Sequence, residues 1–175
     1  MLGHRRGTAV LVAALAAASL GGWRLGATRS GGGAPGSARV VAVVDGDTVD
    51  VTWAGHRERV RLLGVDTPET VDPHRPIGCF GPDASAYTRR RLLGRPVRLS
   101  FDRQRRDRYG RLLAYVDLDG HRFNDELLTE GYARLLVIPP NGAYARAMLG
   151  EELAARSARR GLWGACAAAG GRGER

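Results

Sequence analysis

The chain contains no lysine, so all 27 of its basic residues are arginines, and they face 18 carboxylates. Four of these arginines precede residue 38, and the other 23 leave the remainder of the chain with a net charge of +5. Clustered cations displace counterions from phosphates, so this charge favours a polyanionic partner such as nucleic acid. The alternative is a surface charge that serves solubility alone.

Aromatic residues are scarce at 6%, there are two methionines, and hydrophobic residues make up 43% of the 175 positions. This composition is typical of one soluble globular domain with a short appendage, and it excludes a multi-span membrane protein. Histidines are also few, and His4, His56, His74 and His121 are scattered. No cluster of nitrogen or sulfur ligands therefore indicates a zinc site.

The chain has one long uncharged stretch, residues 7–23, which follows the basic residues Arg5 and Arg6. Small residues at Ala16 and Ala18 give it the A-x-A pattern of a cleavage site. Residues 1–23 are therefore predicted to be a signal peptide or, since 17 residues lie near the lower limit for a span, an N-terminal membrane anchor. The protein is expected to be exported, either secreted or held at the cell surface.

Composition also divides the rest of the chain. Residues 24–38 are rich in Gly and Ser and are predicted to be a flexible linker. Residues 39–166 are predicted to be the folded domain, and residues 167–175 are predicted to be a disordered tail.

The chain has two cysteines, Cys79 and Cys166. Export to an oxidising compartment favours a disulfide between them, and two unrelated thiols are the alternative.

Alternating and β-branched residues predict five strands, at 40–44, 48–53, 58–65, 97–101 and 111–118. Helices are predicted at 82–94, at 125–131 with Asn124 as its N-cap, and at 143–160. One helix between the third and fourth strands is the element order of an OB-type barrel. The predicted fold is α+β, a five-stranded OB-type β-barrel with three helices.

Acidic residues lie at two predicted strand ends. Asp45 and Asp47 flank Gly46 in the first turn, and Asp66 and Glu69 follow the third strand. Taken singly, these are a hairpin turn and a strand stop. Together they can bring two carboxylates close, and such a pair persists only if a cation or a proton neutralises it. Hard oxygen ligands favour Ca²⁺ or Mg²⁺ over Zn²⁺.

Two arginines lie in the neighbouring strands. Arg111 begins the fifth predicted strand, and Arg61 precedes Asp66 by five residues in the third. In a regular strand this odd spacing places Arg61 and Asp66 on opposite faces, unless a bend or bulge redirects one of them.

Five segments in this order and spacing resemble the thermonuclease (staphylococcal nuclease-like) family: VVDGDTVDV, RVRLLGVDTPET, FGPDASAYT, DRYGRLLAYV and GLW. The resemblance covers about residues 39–163. It implies an exported, calcium-dependent endonuclease, a phosphodiesterase that hydrolyses DNA and RNA, preferably single-stranded or denatured, to 3′-phosphate products. It implies no protein partner.

The resemblance also implies roles for individual residues. The implied calcium ligands are Asp47, Asp66 and the backbone carbonyl of Thr67. The implied catalytic residues are Arg61 and Arg111, which bind the phosphate, and Glu69, which orients or deprotonates the attacking water. Asp45 matches an acid beside the metal site. Arg108, where the family has a lysine, and Tyr109 match positions near the terminal phosphate of a bound nucleotide.

The sequence departs from the family in one stretch. Its best-known members carry two tyrosines before the Pro-Asn loop, whereas residues 135–138 here are Leu-Leu-Val-Ile, with Tyr144 nearby. Stacking of a base on aromatic side chains in this stretch is therefore lost.

A non-catalytic OB-fold module that binds single strands is the alternative function. A degenerate binder is expected to lose some of the five matched residues, yet all are present: Asp47, Arg61, Asp66, Glu69 and Arg111.

Overall fold

The computed structural model describes residues 36–70, 74 and 76–166. The predicted signal peptide or anchor, most of the predicted linker and the predicted tail lie outside the described residues. The first strand begins at Ser37, two residues before the predicted start of the domain. Within the described ranges, no helix combines the length and apolar character needed to cross a bilayer.

The described residues form eight strands and four helices. The strands are β1 (Ser37–Val43), β2 (Thr48–Trp53), β3 (His56–Leu62), β4 (Gly64–Asp66), β5 (Pro96–Ser100), β6 (Leu112–Leu118), β7 (His121–Arg122) and β8 (Arg134–Leu136). The helices are α1 (Gly81–Leu92), α2 (Phe123–Thr129), α3 (Ala145–Ser157) and the single turn α4 (Leu162–Ala165).

A closed barrel is formed by β1, β2, β3, β5 and β6. The strands pair antiparallel in the order β3-β2-β1-β5-β6-β7, and a parallel pairing of β3 with β6 closes the sheet. A register shift between Val40 and Ala42 marks a bulge that bends β1. The barrel confirms the predicted OB-type α+β fold.

The core lies inside this barrel and under α2. Val49 and Val51 of β2, Val60 of β3, and Phe123 and Leu127 of α2 have no exposed surface. Each such side chain contributes on the order of 1.5–3 kcal/mol through its burial. The valines suit the strands because β-branched side chains pack well on a pleated surface.

The third predicted strand is broken in two. It ends at Leu62 and resumes as β4 at Gly64, whose φ of +77° a side chain would strain. A Cβ at Gly64 would also lie 2.6 Å from the Met148 methyl carbon of α3. β4 leaves the barrel sheet and pairs with β8 instead. The chain therefore changes direction between Leu62 and Gly64, a bend that we call the β3–β4 bend.

The helices agree with prediction in place but not in detail. α3 is shorter than the predicted 143–160, and the one-turn α4 was not predicted. The prediction that Asn124 caps α2 is wrong, because Arg122 is at the N-cap and Asn124 lies inside the helix. The Asn124 side chain is buried, accepts from the Val116 N–H at 2.9 Å and donates to the Leu63 carbonyl at 2.8 Å. The Val116 N–H and the Leu63 carbonyl are buried, so leaving them without a hydrogen-bond partner would cost more free energy than leaving the helix end uncapped.

The predicted disulfide between Cys79 and Cys166 is confirmed. It joins the residues before α1 to the end of α4 and closes a loop with a sequence separation of 87. In the loop-entropy model, a closed loop of this size restricts the unfolded chain by about 4 to 5 kcal/mol.

Asn124→Ala is expected to lower the free energy of unfolding by about 2–4 kcal/mol, because the substitution leaves a buried N–H and a buried carbonyl without partners. Glu130→Ala, at an exposed position at the end of the same helix, is the control and should change stability by less than about 0.5 kcal/mol. Urea denaturation measures both, and equal losses in the two variants would contradict the structural role of Asn124.

Candidate active site

Strand register brings the predicted site residues to one end of the barrel. Arg61 of β3 is paired with Thr48 of β2 on one side and with Leu113 of β6 on the other. Asp47 immediately precedes Thr48, and Arg111 precedes Leu113 by two residues. The closed sheet therefore places one acidic loop and one basic loop on either side of Arg61.

Asp47 is buried, with 5% of its surface exposed, and both of its carboxylate oxygens accept hydrogen bonds. Oδ2 accepts from the Thr67 backbone N–H at 2.8 Å and from the Thr67 hydroxyl at 3.1 Å. Oδ1 accepts from the Thr48 hydroxyl at 3.1 Å. These bonds fix the carboxylate and join the β1–β2 turn to the residues that follow β4.

The turn that carries Asp47 packs tightly at Gly46. A Cβ built on Gly46 would lie 2.7 Å from the hydroxyl of Thr67, and the Gly46 carbonyl accepts from the Thr88 hydroxyl of α1 at 2.6 Å. Glycine is therefore needed in this turn for the close approach to Thr67.

Arg61 contacts both of the aspartates that are predicted metal ligands. Its Nη1 lies 3.1 Å from Asp47 Oδ2, and its Nη2 donates to Asp66 Oδ1 at 3.0 Å. Nη1 also donates to the carbonyls of Leu62 and Val65. The β3–β4 bend folds the chain back so that residues 65 and 66 meet the Arg61 side chain, which overrides the strand alternation that would separate Arg61 from Asp66. One guanidinium thus brings the two aspartates together.

The oxygen donors at this end of the barrel fit a hard divalent cation. The Arg61 guanidinium contacts the carboxylates of Asp47 and Asp66, and Asp45 accepts from the Asp47 backbone N–H at 3.1 Å. Burial followed by the charge of Asp47 raises the pKa of Asp45 to about 6. The Asp66 side chain is 54% exposed, which leaves room for water ligands. No group of three or more His, Cys, Asp or Glu that could hold a metal exists among the described residues. Carbonyl oxygens and water would therefore complete the coordination of such a cation.

Glu69 lies in the loop after β4. Its Oε1 accepts from the Thr70 N–H at 2.9 Å, and its backbone carbonyl accepts from the Gly78 N–H at 2.8 Å. This places Glu69 in the segment that directly follows Asp66 and Thr67.

Arg111 is oriented by Asp107, which the sequence analysis did not identify. Asp107 accepts from Arg111 Nε at 2.7 Å and from the Arg111 N–H at 3.0 Å. Burial alone would raise the pKa of Asp107, but these hydrogen bonds outweigh it and hold the pKa below its usual range. The sequence signal for this pair is the spacing of four residues between Asp107 and Arg111.

Arg61 and Arg111 line a single groove of about 460 Å³, together with Arg108 and Tyr109. Tyr109 is 67% exposed, accepts from Arg108 Nη2 at 2.6 Å, and has the Arg111 guanidinium 5.5 Å from its ring centroid. The structure therefore brings both predicted phosphate-binding arginines and both predicted nucleotide contacts to one surface.

Part of the groove lining is aliphatic. Leu136 and Ile138 form this part, which we call the aliphatic wall, and Ile138 is 64% exposed. Tyr144 does not replace the missing tyrosines, because its ring packs edge-on against Tyr115 with centroids 4.7 Å apart, with the Arg122 guanidinium 3.6 Å from its own centroid.

Several known proteins are similar to this chain in sequence. The family model described as "Staphylococcal nuclease homologue" matches residues 59–165. Thermonuclease of Staphylococcus hyicus is 42% identical over 125 residues, which cover 71% of this chain and 74% of that protein. Thermonuclease of Staphylococcus intermedius is 50% identical over 105 residues, 60% of this chain and 62% of its own length. Endonuclease YncB of Bacillus subtilis is 41% identical over 122 residues, 69% of this chain and 58% of its own length.

Gly46→Ala is expected to lower the free energy of unfolding by about 1–3 kcal/mol, because the added methyl group overlaps the Thr67 side chain. Gly150→Ala is the matched control: a Cβ at that position of α3 meets nothing within 4 Å. It should raise stability by about 0.5–1 kcal/mol through helix propensity. The two changes should therefore have opposite signs in denaturant titrations, and a neutral Gly46→Ala would contradict the close packing of the turn.

Proposed function

Since the chain belongs to the staphylococcal nuclease family, which hydrolyses phosphodiester bonds, we propose that it is a calcium-dependent endonuclease that cuts DNA and RNA to 3′-phosphate products. The observation that carries the proposal is the contact of the Arg61 guanidinium with both Asp47 and Asp66, beside the groove that Arg61 shares with Arg111.

The donor set supports calcium as the cation. Asp47, Asp66 and the Thr67 carbonyl are the residues that would hold it. Ca²⁺ accepts irregular sets of carboxylate, carbonyl and water oxygens, whereas Mg²⁺ demands near-ideal octahedral geometry. When bound, the ion polarises the phosphoryl group and stabilises the negative charge of the transition state. Asp45, which accepts from the Asp47 backbone N–H, adds further negative charge to the site.

The two arginines are suited to the phosphate itself. A guanidinium presents a planar fork of donors that matches two phosphoryl oxygens at once and stays protonated at every relevant pH. Asp107 holds Arg111 in position, and Asp66 and the carbonyl of Val65 hold Arg61. Such preorganised donors stabilise charge that develops on the non-bridging oxygens. Glu69 orients or deprotonates the attacking water.

The groove favours an unpaired strand. Arg108 and Tyr109 would contact a terminal phosphate, and the base would lie against Leu136 and Ile138. A base can lie against a side-chain wall only when it is free of its duplex partner. We therefore propose that single-stranded or denatured nucleic acid is the preferred substrate.

Export is the proposed setting for this activity. The disulfide between Cys79 and Cys166 supports it, because disulfides persist in oxidising compartments outside the cytosol. Residues 1–23 would direct export as a cleaved signal peptide or remain as an anchor.

The purified protein is expected to degrade denatured DNA when calcium is added and to stop when the calcium is chelated. Arg61→Ala should lower kcat on the order of 100-fold or more, because a donor to the transition state is lost. Arg59→Ala is the matched control on the same strand, since Arg59 pairs with Asp50 instead. Its activity should stay within a few fold of the wild type.

A time course on end-labelled single-stranded DNA gives these rates and identifies the product ends. Cleavage that persists in chelator, with Arg61→Ala fully active, would show that the site is misassigned. Binding of single strands without cleavage at any calcium concentration would favour the non-catalytic binding module.

A further inference from the structure

The segment that joins β5 to β6, residues 101–111, is strongly basic. It carries five arginines and two aspartates, and we call it the arginine arm. Asp102 anchors it, accepting from the Gly142 and Ala143 N–H groups at 2.8 and 2.9 Å, and these backbone bonds hold its pKa below its usual range. Asn141 adds two hydrogen bonds to the backbone of Gln104. The arm is therefore a fixed surface.

Its carboxylates do not neutralise its charge. Asp107 pairs with Arg111, and Glu58 of β3 pairs with Arg106 at 2.8 Å. Three exposed arginines of the arm, Arg103, Arg105 and Arg108, have no ion pair with any described carboxylate. Arg108 belongs to the groove, whereas Arg103 and Arg105 flank Gln104 at its edge.

Arg105 covers an aromatic pair outside the groove. Its guanidinium lies 4.7 Å from the Phe101 ring centroid, and Phe101 lies 5.6 Å from Trp53. Trp53 is five register positions from Thr48, the partner of Arg61, which corresponds to about 17 Å along the strand. Both residues are half-buried.

We propose that Arg103, Arg105 and the Phe101–Trp53 pair form a second contact for a single-stranded polynucleotide, beyond the groove. Unpaired cations beside aromatic rings bind single strands by counterion release and base stacking, without sequence preference. The contact deepens the proposed function, on which it rests, by making long single strands better substrates than short ones.

The test is binding of a 20-nucleotide single strand in chelator, where no cleavage is expected, over a series of salt concentrations. In the double variant Arg103→Ala/Arg105→Ala, the slope of log affinity against log salt should fall by about 0.7 for each lost phosphate contact. A trinucleotide should bind to the variant and the wild type equally.

Arg98→Ala/Arg159→Ala is the matched control, because it removes the same charge from exposed arginines outside the arm. Its slope should match that of the wild type. Equal slopes in the two double variants, or no binding by the wild type, would overturn the contact. Binding that behaves as expected without any cleavage in calcium would leave the contact standing and reject the proposed enzymatic function alone.

A separate observation concerns the backbone of Glu69, which packs against the residues around Cys79. The Gly78 N–H donates to the Glu69 carbonyl, and a Cβ on Gly78 would lie 2.7 Å from Pro68 Cβ. A Cβ on Gly81 would lie 2.9 Å from the Pro68 carbonyl. The backbones of residues 68–69 and 78–81 are therefore in direct contact, without room for a side chain at Gly78 or Gly81.

Cys79, between these glycines, is held from the other side. The disulfide joins it to Cys166 at the end of α4, whose first residue, Leu162, is buried and donates its N–H to the Gly131 carbonyl at 2.9 Å. The disulfide thus connects the segment that packs against Glu69, residues 78–81, to α4, which is itself hydrogen-bonded to Gly131.

We infer that the Cys79–Cys166 disulfide is a positioning element for Glu69. This inference rests on the proposed role of Glu69. Loss of the disulfide should then act on the chemical step and leave the groove unchanged, so kcat should fall while KM stays the same.

Cys79→Ala/Cys166→Ala, assayed at a temperature where circular dichroism shows a folded protein, should lose on the order of tenfold in kcat. In a Glu69→Gln background the same change should have no further effect. Equal losses in both backgrounds, or no loss, would overturn the inference. Reduction of the wild type provides a second route to the same state.

Hydrogen exchange of the Gly78 amide gives a readout that does not need activity. It should become faster without the disulfide, while the Val60 amide in the barrel keeps its protection. An unchanged Gly78 rate would also count against the inference. Faster exchange in a protein that cleaves nothing would retain the positioning of Glu69 and reject only the proposed enzyme.

Discussion

The guanidinium of Arg61 joins the two segments that build the candidate active site. It reaches Asp47 in the β1–β2 turn and Asp66 after the β3–β4 bend, and it also bonds to the carbonyl of Val65. Only 16% of its side chain is exposed, and its removal would leave the buried carboxylate of Asp47 without its cation. Arg61 therefore links Asp47 to Asp66, while Thr48 and Thr67 fix the Asp47 carboxylate from the other side.

Two features of the barrel set that direction. The parallel pairing of β3 with β6 closes the sheet and places Arg61 between the loops that carry Asp47 and Arg111. The β3–β4 bend then returns the chain over the end of the barrel, where β4 finds a new partner in β8. The fold thus contributes to the site through register and one change of direction, and the loops contribute the charged groups.

Much of the fold could be predicted from the sequence. The barrel strands and the three longer helices follow from the local residue pattern, and the disulfide follows from the presence of two cysteines. The contact between Arg61 and Asp66 did not follow. It depends on the bend at Gly64, and the close approach of Met148 from a distant helix is a tertiary contact that strand periodicity does not contain. Asn124 was misassigned for a related reason, because the backbone groups that it bridges come together only in the folded barrel.

The aliphatic wall of the groove has a consequence for base preference in a bound strand. The side chains of leucine and isoleucine offer no hydrogen-bond donor, no acceptor and no π face, so Leu136 and Ile138 would attract a nucleobase by dispersion and exclusion of water alone. Purines and pyrimidines both present such surfaces, and neither carries an edge that this wall could distinguish. Discrimination among the four bases would have to come from other groups, because the proposed phosphate contacts of the arginines would engage only the backbone, which is the same for every nucleotide.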